Sequence, residues 1–172
     1  MPELDGTEAR RRFTAARVAR LATVDAAGRP HQVPVVFAGH SLDGTDRLVT
    51  AVDRKPKTTT RLKRLSNIAA HPSVCLLADA YDENWEHLWW VRADGEARVL
   101  APDAADPAAR HAHERAVALL CEKYPQYREQ PPDGPVIAVT VRHWTGWEAR
   151  PHGPRTSATT PCTPVVPEGH AE

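Results

Sequence analysis

The sequence predicts a mainly antiparallel β-sheet, long enough to curl into a barrel, with helices packed on its outside. Two observations point there. β-rich runs recur with short turn-forming links between them, DAAGR and HSLDGTD being the clearest, and links that short join antiparallel neighbours. Between these runs the apolar spacing switches to a helical period in three places, which supplies helices to cover the sheet. The chain has 172 residues and is 41% hydrophobic, which fits one domain. A chain of that length buries roughly 70% of its unfolded surface, enough to stand on its core without disulfide or metal staples.

In chain order, Thr7 heads EARRRFTAAR, a short capped helix with Phe13 and Ala16 on its apolar face. VARLATV and HQVPVVFAG then read as two strands of a hairpin, with Gly28 free to take a positive φ in the turn between them. Pro34 has no N–H to give a ladder, so it marks a sheet edge, a bulge or a place where backbone faces a ligand. HSLDGTD is a second turn, and RLVTAVD a third strand. From Lys57 the period becomes helical through Leu62, Leu65, Ile68 and Ala69, and His71–Pro72 stops it.

SVCLLADA follows as a buried strand, and LWWVRADGEARVL as a long run that Gly95 breaks by a hairpin or a bulge. DPAARHAHERAVALLCEKY is a third helix, with Pro107 early and Ala116, Leu119, Leu120 and Tyr124 on one face. PQYREQPPDG reads as a loop, PVIAVTV as a strand, RHWTG as a turn and WEAR as a last strand. Residues 1–150 thus form one domain. Residues 151–172 hold five prolines and four threonines without a periodic apolar face, the composition of a disordered tail.

The charge balance narrows the function. The chain carries 22 basic and 22 acidic side chains, yet Arg54, Lys55, Lys57, Arg61, Lys63 and Arg64 crowd one stretch against Asp53 alone. A neutral chain with one cationic cluster argues for a localised anion site and against a broad nucleic-acid surface; the cluster also lacks interleaved aromatics. Helix starts favour acidic residues because the macrodipole is positive there, so Lys57 and Arg61 in or beside a first turn break a local rule. A ligand phosphate would supply the missing charge, with backbone N–H groups and threonine hydroxyls beside it. Three of the four lysines fall between Lys55 and Lys63 in a chain with 18 arginines, and a compact ammonium is a common phosphate partner. Lys63 and Arg64 read more simply as a solvated helix face.

Other residues carry less. Cys75, Cys121 and Cys162 are far apart with no zinc spacing, and read as reduced and structural. His111 and His113, two apart on a helix, do not share a face and read as solvated rather than metal-ligating, as do His40 and His71. Trp85, Trp89, Trp90, Trp144 and Trp147 are core or interface fillers, with Trp90 or Trp147 a candidate cap for a bound ring. Glu86 and Glu96 are candidate proton relays, more simply surface glutamates. No segment has the length of a signal peptide core or a membrane span, so the expected location is cytoplasmic.

ARLATVDAAGRPHQVPVVF, VTAVDRKPKTTTRLKRLSNIAAHPSV and WWVRADGEARVL, taken together over residues 10–150, resemble the pyridoxamine 5′-phosphate oxidase-like split β-barrel family, and within it the F420-dependent oxidoreductases. The resemblance implies a mainly β (α+β) fold, a six- or seven-stranded antiparallel split barrel of the FMN-binding type with three flanking helices. It implies a homodimer with cofactor sites at the subunit interface, and a cofactor phosphate held where the third strand meets the next helix. Carried onto this chain, Lys55 and Lys57 become phosphate ligands, Thr58 and Arg61 supporting donors, and Thr50 and Val52 strand residues lining the cofactor. Gln32, Val33, Pro34 and Val35 match the strand whose backbone faces the ring. The DRKPK turn departs from the serine-arginine-lysine turn usual for FMN. Arg54, Arg61 and Arg64 suit the longer anionic tail of F420, so the expected cofactor is the deazaflavin coenzyme F420, with FMN as the alternative. The expected activity is hydride transfer to a small-molecule acceptor, with a non-catalytic ligand-binding barrel as a further possibility.

Overall fold

A computed structural model of the chain describes residues 3–52 and 62–149. It opens on helix α1, Gly6–Ala15, whose start is capped by Asp5 and not by Thr7. The Asp5 carboxylate accepts from the Thr7 and Glu8 backbone N–H groups at 2.8 and 2.9 Å, satisfying two donors that the helix itself leaves open. Phe13 points inward from α1 and is fully buried.

Strands β1 (Ala19–Val24) and β2 (Pro30–Val35) pair antiparallel around Gly28, which takes φ 79°. The run HQVPVVFAG does not continue as one strand. It ends at Val35, and β3 (Ala38–Leu42) starts a separate hairpin with β4 (Thr45–Ala51). The Phe37 N–H between them is instead taken up by the Tyr124 hydroxyl at 3.0 Å, which substitutes for a ladder bond and frees the chain to change direction. Asp43 and Gly44, at φ 51° and 72°, form the β3–β4 turn, both in the left-handed region that two-residue hairpins require.

Helix α2 (Lys63–Ala70) ends at His71, as His71–Pro72 predicts, but it starts at Lys63 and not at Lys57, because Leu62 before it is extended (φ −65°, ψ 129°) and so closes the helix on that side. Then come β5 (Ser73–Ala80), β6 (Trp89–Leu100), helix α3 (Pro107–Lys123), a short helix α4 (Pro125–Glu129) and β7 (Val136–Glu148). The described residues therefore hold four helices rather than three, because Pro125 sets a helical first residue inside the expected loop PQYREQPPDG. RHWTG is likewise no turn. β7 runs through it beside β6, and the register shifts so that Arg142 is the extra residue between the Gly95–Val141 and Asp94–His143 pairs. Gly95 belongs to that bulge: a Cβ there would sit 2.3 Å from the Thr140 carbonyl oxygen.

The seven strands form one antiparallel sheet in the order β2-β1-β5-β6-β7-β4-β3, the architecture of a split barrel that is not closed edge to edge. Both faces of β4 are covered. Leu48 and Val52 join Phe13, Leu21, Phe37, Leu76, Val91 and Ile137 in the main core, while Val49 and Ala51 pack with Ala116, Leu120, Tyr124 and Val136 beneath α3. That double burial explains the near-continuous apolar run LVTAV, and each large side chain so buried contributes roughly 1.5–3 kcal/mol. On the outward side of β1, β5 and β6, Ala22, Leu77, Cys75 and Trp90 alternate with these core residues and are half-buried.

Candidate functional site

The ends of β2 and β4 and the start of α2 converge on an open cleft of about 280 Å³, lined by Val18, Pro34, Val35, Val36, Thr50, Ala51 and Arg64. Each wall follows from local structure. β2 is an edge of the sheet, which accommodates Pro34 without a lost ladder bond. Thr50 is on the face of β4 that carries Leu48 and Val52, and is only 2% exposed. Its Oγ1 has no hydrogen-bond partner among the described residues. A buried hydroxyl left so costs about 1–3 kcal/mol, which a hydrogen-bonding ligand in this cleft would offset.

Helix α2 is held in place by its inner face. Asn67, 3% exposed, donates through Nδ2 to Thr23 Oγ1 on β1 at 2.9 Å. Lys63 lies 4.0 Å from Asp25, whose carboxylate also accepts from the Ala27 and Arg29 backbone N–H groups and so organises the β1–β2 turn. The start of the helix is bare: Leu62 occupies the cap position with no side-chain cap bond, and the first turn holds no acidic residue. The positive end of the helix dipole therefore sits beside the cleft, with Lys63 and Arg64 adding charge, while the Leu65 N–H is taken by the Leu62 carbonyl at 2.9 Å.

The candidate residues divide as follows. Pro34, Val35 and Thr50 line the cleft. Val52 is in the main core, its N–H donating to the Pro135 carbonyl at 3.0 Å. Gln32 is exposed on β2, on the outward side that Pro34 shares. Trp90 is half-buried on that side, opposite Asp79 and Trp147, away from the cleft lining. Lys55, Lys57, Thr58 and Arg61 lie outside the described residues, as do Arg54, Cys162 and the segment 151–172. The chain that bears the first four leaves β4 just after Thr50 and Ala51 and rejoins just before Arg64, so both its ends flank the cleft.

Arg64 lines the cleft, whereas its position in a cationic helix start reads as solvated face; the orientation of α2 decides the difference. Val18, Val36 and Ala51 also escape sequence reasoning, and only Val18, an apolar residue left 44% exposed, leaves a trace of its role. His113 reverses its expectation. It is 7% exposed and its Nε2 is 2.9 Å from the Gly134 carbonyl, a buried contact between α3 and the chain entering β7.

A second hollow, about 70 Å³, lies between α1 and the β3–β4 hairpin. Its centre is Asp46, which accepts from Trp144 Nε1 at 2.9 Å and from the Ser41 hydroxyl, and pairs with Arg10 at 2.6 Å. Burial opposes its charge, yet the Ser41 and Trp144 hydrogen bonds and Arg10 hold the carboxyl below its ordinary pKa. Beside it, burial and then Arg47 and Arg115 push the His40 pKa down, which favours the neutral imidazole.

Remaining reactive groups stand apart from the cleft. Burial, then Asp94, push the Cys75 thiol up to about 11, which keeps it protonated and inert. Glu96 pairs with Arg142 at 3.1 Å, and Glu86 is exposed. No group of three or more histidine, cysteine or acidic side chains among the described residues could hold a metal ion. No helix among them is long and apolar enough to cross a membrane.

Residues 6–148 match the profile of pyridoxamine 5′-phosphate oxidase. No curated protein matches the chain by sequence. Among solved structures, a FAD-binding protein from Mesorhizobium loti superposes with a TM-score of 0.61 at 19% identity, covering 84% of this chain and 94% of its own. A conserved hypothetical protein from Mycobacterium tuberculosis gives a TM-score of 0.62 at 20% identity over 90% of this chain and 94% of its own. The FAD-binding protein from Mycobacterium smegmatis gives 0.56 at 21% identity over 87% and 99%. At such identities the likeness is one of fold.

Proposed function

The chain belongs to the pyridoxamine 5′-phosphate oxidase family, and from that premise we propose that its cleft holds a flavin-type cofactor, coenzyme F420 in the first place, in an oxidoreductase acting on a small molecule. The observation that carries this reading is the buried Thr50 hydroxyl, without a partner among the described residues, in the lining of a cleft whose rim is a cation-bearing helix start with no acidic residue in its first turn. Such a site asks for an anionic ligand with hydrogen-bonding groups, which a phosphate-bearing ring cofactor provides. The FAD-binding relatives support the flavin class.

When bound, the cofactor supplies hydride transfer, a two-electron chemistry that is its own. The chain supplies the rest. Thr50 offers a hydroxyl at the cleft wall, and Arg64 a cation at its rim. Val18, Pro34, Val35 and Val36 give an apolar wall that orients a ring and excludes water. In this proposal Lys55 and Lys57 bind the phosphate, aided by Thr58 and Arg61, and Arg54, Arg61 and Arg64 receive the acidic tail of F420. That span of cations favours F420 over FMN, which needs less charge.

The half-buried outward side of β1, β5 and β6 supports the homodimer in the same proposal. Ala22, Leu77, Cys75 and Trp90 there mix with the Arg20–Asp79 and Arg92–Asp94 pairs, a blend of apolar and paired charged groups suited to a second copy. A cytoplasmic location belongs to this proposal as well.

Side-by-side fluorescence titration of the purified chain with F420, FMN and FAD tests the reading. Tightest binding of F420 is expected. Preferential FMN binding, with a yellow protein on purification, favours the alternative cofactor, F420 binding with no turnover of any acceptor favours a holding role, and no binding of any of the three overturns the site.

A further inference from the structure

The β1–β2 ladder ends at the Ala19–Val35 pair, and just beyond it the chain forms two walls of the cleft through Val18 and Val36. Past that last pair the two segments are bridged from outside the cleft. The Tyr124 hydroxyl, at the C-terminal end of α3, lies 2.8 Å from the Arg17 carbonyl and 2.7 Å from the Phe37 carbonyl, and accepts from the Phe37 N–H at 3.0 Å. Its single proton serves one carbonyl at a time, so the contact ties Arg17 and Phe37 to one shared point. Tyr124 is only 6% exposed, and the Arg17 guanidinium lies over its ring at 4.5 Å.

The neighbouring residue grips the same region. Lys123 Nζ donates to the Thr14 and Ala16 carbonyls at 2.9 and 2.7 Å and lies 4.0 Å from the Phe37 ring centre. Among the described residues no carboxylate joins these contacts: two carbonyls and the faces of the Phe37 and Tyr124 rings receive the ammonium, and the like charge of Arg17 repels it. Burial, then Arg17, push its pKa down to about 8, the cost of a cation placed for what it holds.

We propose that Tyr124 and Lys123 are positioning residues for the ligand of the cleft, setting from the end of α3 the separation of its Val18 and Val36 walls. This rests on the reading of the cleft as a cofactor site. The apolar wall that would meet a ring is then only as well placed as the two residues that hold its backbone, neither of which touches the ligand.

Tyr124→Phe keeps the ring and removes the hydroxyl, Lys123→Met removes the donor, and Lys123→Arg keeps a charged one. Asp106→Ala, which removes the cap at the far end of α3, controls for general loss of stability. Each full-length variant is titrated with F420 and FMN well below its melting temperature, and amide exchange is followed at Val18 and Phe37. Tyr124→Phe and Lys123→Met are expected to weaken binding on the order of tenfold and to speed exchange at both amides, with Lys123→Arg closer to the parent and Asp106→Ala unchanged in affinity. Parent-like affinity in folded Tyr124→Phe and Lys123→Met overturns the positioning role and leaves the cofactor site standing. Equal weakening in Asp106→Ala overturns it too. A parent chain that binds neither cofactor overturns the site itself, and the positioning role with it.

Discussion

Asp46 and Thr50 stand four residues apart on the same face of β4, both polar and both largely withdrawn from water, and they have opposite surroundings. Asp46 meets Arg10, Ser41 and Trp144, three donors from three different elements of its own chain. Thr50 meets none among the described residues. The lesson is that a buried polar group with all its partners in the chain is part of the architecture, while one without a partner among the described residues is, in the reading proposed above, left for a ligand to meet.

The contrast is easiest to break at Asp46. Asp46→Ala leaves the Trp144 N–H and Arg10 without their acceptor, and should cost about 2 kcal/mol of stability in urea or thermal unfolding while cofactor affinity stays unchanged. A loss of affinity with stability intact would invert the assignment of the two residues. Lys55→Ala with Lys57→Ala should do the reverse, weakening F420 binding tenfold or more, at least about 1.4 kcal/mol, with the fold intact by circular dichroism. Thr50→Val sharpens the comparison most directly, since the shapes match and only the hydroxyl goes. Stability should hold or rise by up to about 1 kcal/mol, and affinity should fall by roughly fivefold.

The smallest effects are in pH. The hydrogen bonds from Arg11 and then Arg12 take the Glu8 carboxyl from 4.5 to about 2. The unfolded chain therefore binds the extra proton between these values, so this contribution is present above pH 4.5 and is lost as pH falls through about 2. Acid unfolding of Glu8→Gln against the parent reads it as a stability difference that vanishes near the lower value. Lys123 acts at the other end. Its pKa, lowered from 10.5 to about 8, means that the unfolded chain holds the extra proton above pH 8, so stability should rise with pH from there toward 10.5, and that rise should be absent in Lys123→Met.

Much of this was legible along the chain. The β1–β2 turn at Gly28, the stop at His71 and the Pro107 helix start are local events, each decided by the conformational limits of one or two residues, whereas Gly95 does not break β6 and is required by the Thr140 carbonyl of the neighbouring strand. Where the reading went astray, a distant partner had overruled local preference. The Tyr124 hydroxyl took the Phe37 N–H and divided one expected strand into two, and the neighbouring β6 kept β7 extended through the expected turn RHWTG.

The cationic stretch was likewise written in the sequence, because charge is a property of neighbouring residues, but the helical period read from Lys57 gave no sign that the first turn of α2 starts only at Lys63. That Arg64 lines the cleft, that Thr50 has no partner among the described residues and Asp46 has three, and that Tyr124 bridges Arg17 and Phe37 beside the cleft's walls were decided only by the tertiary structure. A hydrogen bond between residues tens of positions apart depends on where the sheet brings them, and a single strand carries no record of what will stand opposite it.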